Sequence, residues 1–160
     1  MDTSEPQVAS EAAQPLRIYP PVLALALFAG TLLLHLMLPE ARAVRWHHAL
    51  GLLVVASGIG LTFFAAGIFQ GRETTKNPYG EPAAFVVQAP YTFTRNPMYL
   101  GSAVALLGMA IFFDSIVMLL APAVFFSVID RMVIPREEAA MERRFGQQYR
   151  DYTARVRRWL

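Results

Sequence analysis

Two polar segments stand out in a chain that is otherwise strongly apolar. Arg95-Asn96-Pro97-Met98-Tyr99 leads into one apolar run, and the pair Glu137-Glu138 follows another. Asn followed by Pro is a helix-start signature, with Asn as N-cap and Pro at the first helical position, where its missing N–H costs nothing. A helix N-terminus flanked by Arg95 suits a carboxylate or phosphate, although the same residues would serve equally to begin a helix and anchor it. Glu137 and Glu138 stand early in a helical stretch, where the helix dipole favours carboxylates, so they too have an ordinary explanation. What exceeds it is the combination. An arginine beside a helix N-terminus and two carboxylates near the same membrane surface would together hold a ligand bearing both charges.

The other residue types exclude rival chemistries. The chain has no cysteine, which removes disulfide, zinc-thiolate, iron–sulfur and thiol-nucleophile chemistry. His35, His47 and His48 are isolated or adjacent rather than helically spaced, so no metal site is expected. They also fall near the far side of the membrane from the polar segments, which leaves serine hydrolysis without a base. Gly58-Ile59-Gly60 lies in an uncharged run, lacks a third glycine and follows no strand; a Rossmann site is excluded, and no P-loop is present. Fourteen Lys and Arg against twelve Asp and Glu give a net charge of +2, which demands no polyanionic partner, and no nucleic acid is expected.

The elements that must position the polar segments are membrane helices. Apolar residues make up 55% of the chain and charged residues 16%, against about 25% charged in an ordinary soluble domain. The expected fold is all-α: a polytopic membrane protein with four transmembrane helices, at about residues 18–38, 49–69, 98–113 and 116–134, and a C-terminal amphipathic interfacial helix. The first two runs match the length that crosses a ~30 Å hydrocarbon core. Gly51, Gly58, Gly60 and Gly67 equip the second for close helix packing. Asp114 and Ser115 make a short turn between the third and fourth, and Pro122 is expected to kink the fourth.

The interfacial helix is expected over residues 136–158. Met141, Phe145, Tyr149, Tyr152, Val156 and Trp159 recur at intervals of three and four, opposite Arg143, Arg144, Arg150, Arg157 and Arg158, the pattern of a helix lying on an anionic bilayer. Residues 1–16, acidic and without aromatics, read as a disordered tail. Residues 17–160 then form a single domain whose loop at 70–96 carries the first polar segment.

Charge placement orients the spans. Twelve of the fourteen Lys and Arg lie on the side holding both termini and the 70–96 loop; only Arg42 and Arg45 lie opposite. The positive-inside rule puts that richer side in the cytoplasm, at the inner or plasma membrane of a bacterium or the endoplasmic reticulum of a eukaryote. The acidic residues before the first run, and a length beyond a normal h-region, argue against a signal peptide there. Transport is a poor fit, with no internal repeat and no midspan ionisable group. Asp130 and Arg131 fall near the cytoplasmic end of span four, where they reach water or each other.

Thr74-Thr75 with Pro78, Ala89-Pro90-Tyr91, Arg95-Asn96-Pro97-Met98-Tyr99-Leu100-Gly101, Glu137-Glu138, Phe145-Gly146, Tyr149, Tyr152 and Val156 together resemble the isoprenylcysteine carboxyl methyltransferase family and its phospholipid methyltransferase relatives. The likeness covers about residues 71–160. It implies an integral membrane enzyme that uses S-adenosylmethionine without a Rossmann domain, in a cytoplasm-facing pocket near the ends of its last helices. Carried over by motif position, Phe85, Val86, Tyr91, Asn96, Pro97, Met98, Tyr99 and Glu137 would line the cofactor pocket. Those types suit the cofactor, whose carboxylate fits a helix N-terminus and whose amine, sulfonium and ribose fit a carboxylate and aromatic faces.

Asn96 stands where many members have His, and Ala89 where Gly is common; Asn hydrogen-bonds but does not titrate, so no base is expected there. Val133 stands where the eukaryotic carboxyl methyltransferases carry an Arg, and Arg131 would replace it as a substrate contact only with a shift in helix register. Glu138 is the expected proton acceptor for an amine or hydroxyl acceptor, and Arg95 the expected substrate clamp. A carboxylate or thiolate acceptor would need no base. The expected partners are membrane lipids and a lipophilic acceptor entering from the bilayer, with no metal. The alternatives are a phospholipid amine or small apolar thiol as acceptor, or a non-enzymatic membrane protein that binds anionic lipid or a partner.

Overall fold

The computed structural model describes residues 18–38, 47–70 and 87–160. The expected disordered tail, Phe85, Val86 and most of the 70–96 loop lie outside them. Every regular element among the described residues is helical, with no strand. In order they are α1 (Pro20–Met37), α2 (His47–Gln70), α3 (Pro97–Phe112), a 3-10 turn (Val117–Leu119), α4 (Leu120–Val128), a π segment (Ile129–Val133), α5 (Ile134–Phe145) and α6 (Gln147–Thr153).

Three helical stretches are long and apolar enough to cross a membrane: Pro20–Met37, His48–Ile68 and the continuous run Val117–Phe145. The remaining apolar helix, α3, has 16 residues and rises only about 24 Å. Length and composition therefore qualify three spans rather than four. Leu25, Leu53, Phe63 and Leu120 are exposed on the outer surface, as expected of helices whose apolar flanks face lipid.

What holds α3 in place is backbone contact with α2. A Cβ added at Gly101 would stand 2.6 Å from the Gly58 carbonyl oxygen, and one at Gly108 would stand 2.5 Å from the Val55 nitrogen. One at Gly51 would meet the Phe112 nitrogen at 2.5 Å. Two glycines seven residues apart on each helix thus interlock, and Thr62 adds a hydrogen bond from Oγ1 to the Met98 carbonyl, 3.2 Å. A Cβ added at Gly60 or Gly67 meets nothing within 4 Å among the described residues, so of the four glycines expected to pack closely Gly51 and Gly58 do so there.

The turn after α3 is a C-terminal capping motif. Ser115 N–H donates to the Ala110 carbonyl and Asp114 N–H to that of Ile111, both 3.1 Å, with Asp114 at φ +51° in the position usually taken by glycine. The Ser115 hydroxyl then accepts the Met118 N–H, starting the return helix. Pro122 falls in the first turn of α4, where a missing N–H is tolerated. The departure from α geometry comes later, where Ile134 N–H bonds the Ile129 carbonyl five residues back. Pro135 is the cause: it supplies no N–H to the Arg131 carbonyl and its ring crowds that group, so the turn widens.

Leu106 of α3, Ala121 and Phe125 of α4, Ile129 and Ile134 form the main core, with Leu23, Ala24, Leu27 and Phe28 of α1 packed against it. The helix expected over 136–158 is divided. Gly146, at φ +51° and ψ −120°, adopts a conformation open only to glycine, ending α5 and starting α6. The apolar stripe then folds onto itself: Tyr149, Tyr152 and Val156 are buried and pack with Met141 and Phe145. Those side chains serve an internal core instead of a bilayer surface.

Candidate functional site

The α3 N-terminus and the start of α5 converge. Asn96 is the N-cap residue of α3 and Pro97 stands in its first turn, as the Asn-Pro signature predicts, although the Asn96 side chain does not cap the helix. Its Nδ2 donates instead to the Arg158 carbonyl, 3.0 Å, and its N–H donates to Thr94 Oγ1, 3.2 Å. One turn into α3, the Tyr99 hydroxyl donates to Glu137 Oε1 at 2.6 Å, a charge-assisted bond between residues from the two separate motifs. Burial pushes the Glu137 carboxyl up to about 6, against a smaller lowering by the Tyr99 hydroxyl. Glu137 lies beyond the apolar part of its helix, in the first turn of α5.

Glu138 has a different environment. Arg158 grips it in a fork, Nε to Oε1 at 3.2 Å and one terminal nitrogen to Oε2 at 2.6 Å, while Arg95 reaches Oε1 at 3.2 Å. Both oxygens are thus occupied by guanidinium donors. Arg158 also reaches Asp130 Oδ1 at 3.2 Å, and Trp159 Nε1 donates to that same oxygen at 2.9 Å. The carboxylate contact with Glu138 raises the Arg158 guanidinium further above its ordinary value.

The residues beneath are anchors. Tyr152 donates from its hydroxyl to the Tyr91 carbonyl at 2.7 Å, and the Tyr91 hydroxyl donates to the Ala65 carbonyl of α2 at 3.4 Å. Burial pushes the Tyr91 hydroxyl up strongly and that of Tyr152 to about 12, so both stay protonated donors. Pro97 is fully buried, and Met98 packs with Ala65, Ile68 and Tyr91. Of the residues carried over from the resemblance, Tyr99, Glu137 and Asn96 stand in one polar cluster with the expected clamp Arg95 and proton acceptor Glu138, whereas Tyr91, Pro97 and Met98 pack against helix residues. Phe85 and Val86 lie outside the described residues. Arg131 is exposed on the π segment, with its charge acting on Asp130.

Arg158, Trp159 and Asp130 belong to this cluster without having been expected there. The stripe reading placed Arg158 on a solvent face and Trp159 on a bilayer face; the break at Gly146 sends both back across the site. Arg95 Nε is buried with no hydrogen-bond acceptor among the described residues. That donor suits an anionic oxygen, Glu137 suits an amine or hydroxyl, and the Tyr99 ring suits a cation, a set that fits S-adenosylmethionine. Among the described residues no three His, Cys, Asp or Glu come together in a way that could hold a metal ion.

An all-helical fold with three helices long and apolar enough to cross a membrane, and a polar cluster at its helix ends, is the architecture of an integral membrane protein. Residues 46–148 match the family model for phospholipid methyltransferase. The chain belongs to that family, within the isoprenylcysteine carboxyl methyltransferase-like group of integral membrane methyltransferases. A 63-residue stretch is 38% identical to an uncharacterised protein of Haemophilus influenzae, covering 39% of this chain and 79% of that protein. No solved structure matches the chain.

Proposed function

We propose that the protein transfers a methyl group from S-adenosylmethionine to a lipophilic acceptor at the cytoplasmic face of a membrane. The single observation that carries the reading is the 2.6 Å bond between Tyr99 and Glu137, which joins the two motifs on which the resemblance rests. In this reading α3 is a fourth span, both termini are cytoplasmic, and Phe85 and Val86 complete the cofactor pocket. When bound, the cofactor supplies an electrophilic methyl group on a sulfonium.

The chain's own residues bind, orient and exclude water. Glu137 and the Tyr99 ring hold cationic and hydroxyl groups, and Arg95 directs Nε at an anionic one. Glu138, with both oxygens held by Arg95 and Arg158, aligns Arg95. With both Glu138 oxygens held by guanidinium donors, proton acceptance from an amine or hydroxyl falls instead to Glu137, whose carboxyl burial pushes up to about 6. Alignment and desolvation then supply much of the acceleration. Arg131 remains a substrate contact for an anionic acceptor drawn to the π segment.

The test is calorimetric titration of the purified protein in nanodiscs with S-adenosylmethionine and S-adenosylhomocysteine, with Glu137→Ala as control. Saturable binding lost in the variant supports the reading. Absence of binding to folded wild-type protein returns the chain to the non-enzymatic, lipid-binding alternative. Mass analysis of products from phospholipid amines, prenylcysteine carboxylates and apolar thiols then identifies the acceptor.

A further inference from the structure

Beyond the turn that ends α6, residues 156–160 pass back over the start of α3. Arg95 N–H donates to the Arg157 carbonyl at 3.0 Å, and the Arg158 carbonyl accepts from both Thr94 Oγ1 and Asn96 Nδ2 at 3.0 Å each. The Arg158 side chain then crosses to Glu138 and Asp130, and Trp159 lies on the Phe126 ring with centroids 4.4 Å apart. One residue thereby ties the end of the chain to two segments distant from it in sequence, using its backbone for residues 94–96 and its guanidinium for Asp130 and Glu138.

We infer that Arg158 is a positioning residue and that residues 156–160 form a clasp whose seating fixes Asn96, Glu138 and, through Glu138, Arg95. The inference rests on the reading of this cluster as the cofactor site. Exposed ion pairs contribute little, but the side chains of Arg158, Glu138 and Asp130 retain only 33%, 21% and 30% of their exposure. The contact with Glu138 is a two-point fork, which constrains direction as well as distance. A free glutamate has several rotamers; gripped by Arg158 at both oxygens, Glu138 has one, and Arg95 is held against it. The unpartnered Arg95 Nε is therefore aimed by a chain of contacts from Arg158 through Glu138, alongside a hydrogen bond between Arg95 and Tyr149. Trp159 adds a second fastening to the same Asp130 oxygen.

The experiment pairs two readouts on Arg158→Met, Arg158→Lys, Glu138→Gln and the double variant Arg158→Met with Glu138→Gln. In calorimetric titration with S-adenosylhomocysteine, Arg158→Met should weaken binding at least tenfold. Arg158→Lys should recover part of that loss, since it keeps the charge but not the fork. The double variant should bind no worse than the weaker single one, because both changes cut the same chain of contacts. The second readout needs no cofactor: in a Trp46→Phe background, acrylamide quenching of Trp159 should rise in Arg158→Met, and also in the milder Asp130→Asn. Wild-type affinity in Arg158→Met, or additive losses in the double variant, would overturn the inference. Unchanged Trp159 quenching in Arg158→Met and Asp130→Asn would overturn the clasp by itself. A folded wild-type protein that binds no cofactor while Trp159 still unseats would retain the clasp and sink the cofactor reading.

Discussion

Glu137 and Glu138 are neighbours in the chain with opposite surroundings. Glu138 meets two guanidinium groups, whereas Glu137 meets the Tyr99 hydroxyl, and burial raises its carboxyl from the ordinary 4.5 to about 6. The folded chain thus holds that proton more tightly than the unfolded chain does. The associated stability is complete below pH 4.5 and is lost as pH rises through about 6, a difference of roughly 2 kcal/mol. Glu137→Gln should therefore melt higher than wild type at pH 8 and no differently at pH 4, measured by thermal unfolding. For cofactor binding the sign reverses, because the ionised carboxylate is the form that attracts an amine. Wild-type affinity for S-adenosylmethionine should fall as pH drops below about 6, and that dependence should vanish in Glu137→Gln.

At the scale of elements, the site depends on α3 being held where Tyr99 can reach α5. At Gly101 a new side chain would meet, beside the Thr62 hydroxyl, the backbone of Gly58 and Thr62, which cannot move aside. Gly101→Val should therefore fall at the severe end of overpacking, about 3 kcal/mol, and should lower thermal stability and cofactor affinity together. The same change at Gly60, which meets nothing within 4 Å, should leave both unaltered. Asp114 occupies a left-handed position, which costs a non-glycine residue roughly 1 kcal/mol. Gly146 is the counterpart that the sequence already marked: a glycine after Phe145 is a helix-stop signal, and the continuous apolar stripe around it concealed the break.

For the whole molecule, the proposed four spans put residues 4, 76 and 151 on one side of the membrane and residues 43 and 116 on the other. The absence of native cysteine makes this directly measurable. Ser4→Cys, Lys76→Cys and Asp151→Cys should react with an impermeant maleimide from the cytoplasmic side only, and Ala43→Cys and Ile116→Cys from the opposite side only. If α3 does not cross, residue 116 will react from the same side as residue 76. That result would overturn the four-span reading.

The apolar runs, the Asn-Pro helix start, the hairpin at Asp114 and Ser115 and the acidic pair were all legible in the sequence, because each is a local pattern of composition or spacing. Helix periodicity likewise marked Tyr149, Tyr152 and Val156 as one apolar face, though not what that face would cover. The tertiary structure alone decided that Tyr99 meets Glu137, that Glu138 is held by arginines on both sides, and that Arg158 turns inward. Arg158 and Asn96 are 62 positions apart, and their contact depends on a reversal at Gly146 and on the packing of α6 over Tyr91. Pairings across such distances leave no periodic trace, because chain folding, not residue spacing, brings them together.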